Sequence, residues 1–259
     1  MKERPILFGA AMVRALLDGS KTQTRRIWKL PNWAEWDLIE GGEKKGQLIP
    51  KDAKMLGWYS VDEVACPYGQ PGDHMWVREA WRVGAWNEDE GEIAIDYVAD
   101  KCSRREWIQV PEKSDFERYW IQSTDDATKA GLLTNSEGNF NWSPGGSPCR
   151  GRPSIHMPRW AARISLEITN VRVERLQDIN EVDAKAEGIA VDELGHAYRE
   201  NDSVAWGSAK TAYAELWESI NGPGSWDLNQ WVWVVEFKRV QPGTNYISRM
   251  QGWDLTHNV

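Results

Sequence analysis

The elements that the sequence predicts are those of a mostly β protein, a small and partly open β-barrel with peripheral helices, in the α+β class. Strand-like runs with a two-residue period recur along the chain; Val77, Glu79, Trp81 and Val83, for instance, alternate with Arg78, Ala80 and Arg82. Three helical stretches are short and separated. They lack the strict strand and helix alternation of a doubly wound parallel sheet. No internal repeat is present.

Pro5 to Phe8 reads as a strand, and Ala10 to Asp18 as a helix with Met12, Val13, Leu16 and Leu17 on one face and Gly19 as its stop. Lys21 to Ile27, rich in β-branched and long polar residues, predicts a strand leaving that turn. The pattern then dissolves from about Trp28 to Gln70 into an irregular excursion. The turn Pro71-Gly72-Asp73 launches a strand from His74 to Val83, and Glu92 to Ala99 pairs with it in a meander. A second polar excursion runs from about Asp100 to Arg152.

Ala162 to Leu176 is the longest strand candidate, with a change of face at Thr169-Asn170 that a bulge would produce. Asp178 and Glu181 open a short helix that ends at Gly188 and has Val182 and Ala186 among its apolar positions. A further helix, Ser208 to Ile220, carries Ala212, Tyr213, Leu216, Trp217 and Ile220 on one side. Trp231 to Val240 closes the fold as a strand with Trp231, Trp233, Val235 and Phe237 on one face, and Gln241 to Val259 reads as a polar tail. The expectation is one domain over residues 1–240, with insertions at about 28–70 and 100–152.

A chain of 259 residues can bury a sizeable core. No run approaches the roughly 18 to 20 apolar residues that span a bilayer, and the opening stretch is interrupted by Lys2, Glu3, Arg4 and Arg14; neither a membrane span nor a signal peptide is expected. Cys66, Cys102 and Cys149 are odd in number and far apart, and four scattered histidines show no ligand spacing, so free thiols in a reducing cytoplasm and no metal or cofactor are expected. A net charge of −8 argues against coating nucleic acid through a general field. Nucleic-acid contact is therefore expected to be local, with Arg150 to Arg175 one basic stretch. Seventeen tryptophans supply many flat stacking surfaces, most of them for the core.

Gly19-Ser20-Lys21-Thr22-Gln23-Thr24-Arg25-Arg26 resembles the G-x-K-x-x-T-x-R signature of ASCH domains, and it follows the first helix as in that family. Pro71 to Glu79 is similar to the family's GD turn and the strand after it. Trp231 to Lys238 resembles its closing strand, and Glu181, Ala184 and Glu187 match its helix with an acidic residue. The whole chain looks like the long, Trp-rich ASCH proteins of tailed phages and prophages. The resemblance implies a PUA-like barrel with two large insertions that handles nucleosides or RNA.

In the small amidohydrolases of this family a lysine, a threonine and a glutamate hydrolyse the acetyl amide of N4-acetylcytidine. Carried over, these are Lys21, Thr24 and Glu187: Thr24 the nucleophile, a neutral Lys21 the base that takes its proton, and Glu187 the group that orients the lysine or protonates the departing amine. Arg26 and Arg78 are candidates for a phosphate or an oxyanion, and Trp76 and Trp81 for walling a cytosine. Read without the resemblance, Lys21 is a solvated turn lysine, Thr24 a β-forming residue, Glu187 an exposed carboxylate, and the tryptophans core. Lys21 and Thr24 lie three apart, so an unbroken strand would point them to opposite faces, and the turn after Gly19 has to bend the lysine back. The expected partners are a modified nucleoside or a short RNA. A non-catalytic reader of the same ligands and a phage assembly or host-takeover protein, binding protein through Trp-rich insertions, are the other readings.

Overall fold

The computed structural model describes residues 1–28, 36–38, 47–50, 59–60, 66–100, 105–136, 138–193, 196–198 and 207–240. The architecture is α+β. The main sheet has five strands in the order β1-β6-β10-β13-β2, formed by β1 (Glu3–Leu7), β2 (Gln23–Ile27), β6 (His74–Arg78), β10 (Ser165–Arg175) and β13 (Trp231–Val240). It is open: among the described residues no closed barrel forms, and the residues just before β2 meet the end of a helix. Thr22 donates its backbone N–H to the Ala186 carbonyl at 2.8 Å, and Lys21 and Glu187 make an isolated antiparallel bridge.

Three smaller sheets complete the set: β3 (Trp36–Leu38), β4 (Gln47–Pro50) and β5 (Tyr59–Ser60); β7 (Trp81–Asn87), β8 (Glu92–Tyr97) and β9 (Arg105–Gln109); and the pair β11 (Ala190–Val191) and β12 (Ala197–Tyr198). Most of the excursion after Trp28, Cys102 and the tail after Val240 lie outside the described residues. The helices are α1 (Ala10–Asp18), α2 (Lys113–Lys129), α3 (Glu181–Ala186) and α4 (Ala209–Asn221). The chain divides into two compact units, the first of Met1–Arg4, Ala15–Met75 and Leu166–Arg239, the second of Pro5–Arg14, Trp76–Ser165 and Val240–Val259.

In the first unit α1 stops where expected, at Gly19 with φ +86°, a conformation that suits glycine. Asn180, rather than Asp178, caps α3 by accepting from the Asp183 N–H at 2.8 Å, and Asp178 sits in the preceding 3-10 turn. Val182 is 74% exposed and Ala184 is the buried residue of α3, so the expected apolar face of this helix is displaced. Glu181 instead caps the next helix: its carboxylate accepts from the backbone N–H groups of Ala209 at 2.8 Å and Lys210 at 3.3 Å. Ala212, Tyr213 and Trp217 of α4 are buried together with Val232, Val234, Ile179 and Ala184, whereas Ile220 is 53% exposed. Trp231 to Val235 are all buried, so both faces of β13 are covered and not one, as befits an interior strand.

The run from His74 to Val83 is two strands, β6 and β7, with a break at Glu79-Ala80. The core of the second unit gathers Trp81, Val83, Ile93, Ile95, Tyr97, Phe116, Tyr119 and Trp160. The excursion after Asp100 contains α2, which the sequence pattern does not reveal; its buried positions Phe116, Tyr119, Ser123 and Ala127 keep helical spacing but include two small residues. The edge of β7 is covered by the segment after α2. Trp142 Nε1 donates to the Gly84 carbonyl at 2.6 Å, Ser147 Oγ to the Val83 carbonyl at 2.6 Å, Arg82 to the Gly145 carbonyl, and Arg152 bridges Trp81.

Register between β7 and β8 shifts between Val83 and Ala85, and Gly84 lies there against the buried Asp96. A Cβ on Gly84 would fall 2.4 Å from Asp96 Oδ1. Gly84→Ala is therefore expected to destabilise the protein by roughly 1–3 kcal/mol in urea unfolding, and adding Asp96→Ala should restore part of the loss by clearing the space.

Candidate functional site

The turn at Gly19 brings Lys21 to the C-terminal end of α3. Lys21 donates its backbone N–H to the Ala15 carbonyl at 2.9 Å, and Glu187, the residue after α3, donates its own to Asp183. Gly188 follows with φ +97°; a Cβ there would lie 3.0 Å from the Ala15 Cβ and 3.4 Å from the Lys21 Cβ, so this close approach requires glycine. The result is a buried ion pair between residues 166 positions apart. Lys21 Nζ donates to Glu187 Oε2 at 2.7 Å and to the Glu187 backbone carbonyl at 2.8 Å, and the Lys21 side chain is closed to solvent.

Around this pair stand groups that the sequence pattern did not single out. Arg25 Nη1 reaches Glu187 Oε1 at 3.3 Å, and the same guanidinium bonds Glu174, through Nε at 3.1 Å, and Asp183 at 3.2 Å. Arg172 binds Glu174 at 3.0 Å and also pairs with Asp183 and Glu236. Tyr213 of α4 lies with its ring centroid 5.9 Å from the Arg25 guanidinium, and its phenol is within electrostatic reach of Glu187. Asp183 and Glu187 are four apart, one helical turn, which aims both at β2. That spacing was the available signal.

Burial lowers the proton affinity of the Lys21 amine; the carboxylate of Glu187 pulls the other way, and Arg26 and Arg25 add to the lowering. Burial, with the nearby Glu187 charge, holds the Tyr213 phenol well above its ordinary range.

Thr24 is buried but on the other face. In the β2–β13 ladder Arg25 is opposite Val234, whose side chain belongs to the core under α4, and Thr24 is opposite Val235. Side chains alternate along a strand, so Gln23, Arg25 and Ile27 share the α3 side with Lys21, while Thr24 and Arg26 point away from it. Gln23 Nε2, bonded to the Asp183 carbonyl at 2.9 Å, and Ile27, packed on the α4 core, mark the same side. The turn after Gly19 thus delivers Lys21 to Glu187 and does not bend it toward Thr24. Arg26 is half-buried, within electrostatic reach of Tyr68.

The other expected binding residues belong to the second unit. Trp81 is 0% exposed, in edge contact with Tyr119 and Trp160, and the Arg152 guanidinium sits 5.3 Å from the Trp81 ring centroid. It is a core residue with no open face for a base. Trp76 is 7% exposed, its ring flanked by the guanidiniums of Arg78 at 4.7 Å and Arg159 at 5.7 Å. Among the described residues, no group of three or more His, Cys, Asp and Glu side chains is placed to hold a metal ion, and no helix is long and apolar enough to cross a membrane.

Set against protein-family models, curated proteins and solved structures, the chain matches none.

Removing one member of a buried ion pair leaves the other charge without compensation. Lys21→Met is expected to cost roughly 3–5 kcal/mol in urea unfolding, and Lys21→Met combined with Glu187→Leu should cost less, since Arg25 keeps Glu174 and Asp183. The pH dependence follows from the lowered Lys21 affinity. Just below the ordinary lysine value of 10.5 the unfolded chain binds the proton that the folded chain has released, so Lys21 makes stability rise with pH in that window. Above about pH 10 the raised Tyr213 acts in the opposite sense, because the unfolded phenol ionises first. Urea midpoints across this range should rise and then fall, and Tyr213→Phe should weaken the fall.

Proposed function

We propose that the chain is an ASCH-type protein of PUA-like ancestry that acts on a modified nucleoside or a short RNA, and that its reaction is hydrolysis of the amide of an acylated cytosine such as N4-acetylcytidine. The observation that carries this reading is the meeting of Lys21 and Glu187 at 2.7 Å, since these are two of the three residues that the sequence resemblance assigns to that chemistry. The lowered proton affinity of Lys21 suits a base. Arg25 orients the Glu187 carboxylate as a positioning residue.

Since Thr24 lies on the opposite face, the attacking oxygen that fits this geometry is that of water. Water adds to the acyl carbon and gives a proton to Lys21 in its neutral amine form, which the lowered proton affinity makes accessible; the carbon–nitrogen bond breaks, and the proton passes through Glu187 to the departing cytosine amine. The products are a carboxylic acid and the unmodified base. A second reading, binding without turnover, is favoured by the closure of the Lys21 side chain to solvent.

Incubation with acylated cytidines and chromatography of the products tests both. Release of cytidine is expected from the wild-type protein, with a fall of about a hundredfold or more in Lys21→Arg and Glu187→Gln, whose folding is checked separately. Thr24→Ala should keep most of the turnover, and its loss would restore the threonine as nucleophile. Saturable nucleoside binding with no product would favour the second reading, and absence of both binding and product would end the proposal.

A further inference from the structure

The sheet of β7, β8 and β9 ends in two unlike strands. β7 is bulged at Gly84 and has its Val83 and Gly84 carbonyls taken by Ser147 and Trp142. β9 has neither device. Its register with β8 runs unbroken from Gln109 opposite Glu92 to Arg105 opposite Asp96, and the strand holds no lysine, proline or glycine to interrupt pairing.

Val110 donates its N–H to the Gly91 carbonyl at 3.2 Å, which sets the phase of the ladder. By alternation Glu106 and Ile108 turn their backbone groups to β8, and Arg105, Trp107 and Gln109 turn theirs outward. Among the described residues nothing is hydrogen-bonded to these outward groups. Ile108 packs on the aromatic core and Glu106 comes within 4.0 Å of Arg163, whereas Trp107, at the middle of the strand, is 47% exposed.

We infer that β9 docks a second copy of this chain, the two β9 strands pairing antiparallel about a two-fold axis that passes beside Trp107. The strand suits an encounter with itself. A register centred on Trp107 pairs all five of its residues, setting Arg105 opposite Gln109 of the other copy, Glu106 opposite Ile108 and Trp107 opposite Trp107. No like charges then face each other, whereas a register centred on Glu106 would oppose two carboxylates. The two exposed indoles become a cross-strand aromatic pair. Because β7 is covered, sheet extension through β9 stops at two copies. The contact is small, so association is weak and depends on concentration.

The experiment is sedimentation equilibrium of the full chain over a series of protein concentrations. For wild-type protein the weight-average mass is expected to climb from that of the monomer toward twice that value. Trp107→Lys places two ammonium groups opposite each other and Trp107→Glu two carboxylates, and each should weaken association about tenfold or more. Mixed in equal amounts, the two variants should regain the dimer, since lysine then faces glutamate across the axis. Recovery of this kind requires a register in which residue 107 meets itself. Trp107→Pro, which removes the outward N–H at a position where an edge strand tolerates proline, should also be monomeric and stands in should a charged variant fail to fold. A wild-type protein that stays monomeric throughout, association undiminished in the single variants, or a mixture that remains monomeric overturns the inference.

Discussion

Inside the first unit the guanidinium of Arg25 has no access to solvent, and the carboxylates of Glu174, Asp183 and Glu187 take its place. Burying one of these charges alone would cost several kcal/mol, so the cluster stands only with its members assembled. That requirement ties β2, β10 and α3 to one another. It also leaves Glu187 one oxygen for Arg25 and the other for Lys21, which fixes how the carboxylate is turned. Tyr213, brought by α4, covers the group, and Glu181 joins α3 to α4 through the first N–H groups of the later helix.

The second unit applies the same physics with aromatic rings. Arg163 is clamped by Glu79 and Asp100 and lies 3.8 Å from the Tyr97 ring centroid, while Arg152 sits 5.3 Å from both the Trp81 and Tyr119 rings. Flat faces and guanidinium planes fill space together where aliphatic side chains would leave the charge unsolvated. This accounts for part of the high tryptophan content. Trp76 and Trp81 serve as walls for the protein's own arginines.

Regular elements with one apolar face were legible in the sequence: α1, α4 and β13 begin and end within about one residue of their predicted limits. The helix α2 escaped because Ser123 and Ala127 complete its buried stripe, and small side chains carry little hydropathy signal. Val182 and Ile220 were misassigned for a related reason, since periodicity identifies a face but not whether a neighbour covers it. At the candidate site the resemblance pointed to Lys21 and Glu187 together. The separation of Thr24 from them was inherent in the odd spacing of three residues, once β2 ran straight. Arg25 passed unnoticed because a buried arginine cannot be told from an exposed one until its acids are located, and Glu174, Asp183 and Glu187 lie 149 to 162 residues away.

The segment that runs along β7 has a consequence for how molecules of this protein meet at high concentration. An edge strand with free carbonyls is a template on which another chain can add a strand, the first step of sheet-to-sheet aggregation. Along β7 the carbonyls of Val83 and Gly84 are already occupied by Ser147 and Trp142, and Arg152 closes a backbone bridge at Trp81. Side-chain donors satisfy the strand without presenting a new strand edge of their own. The covering is thus a form of colloidal protection, written into residues whose contribution to the core is small.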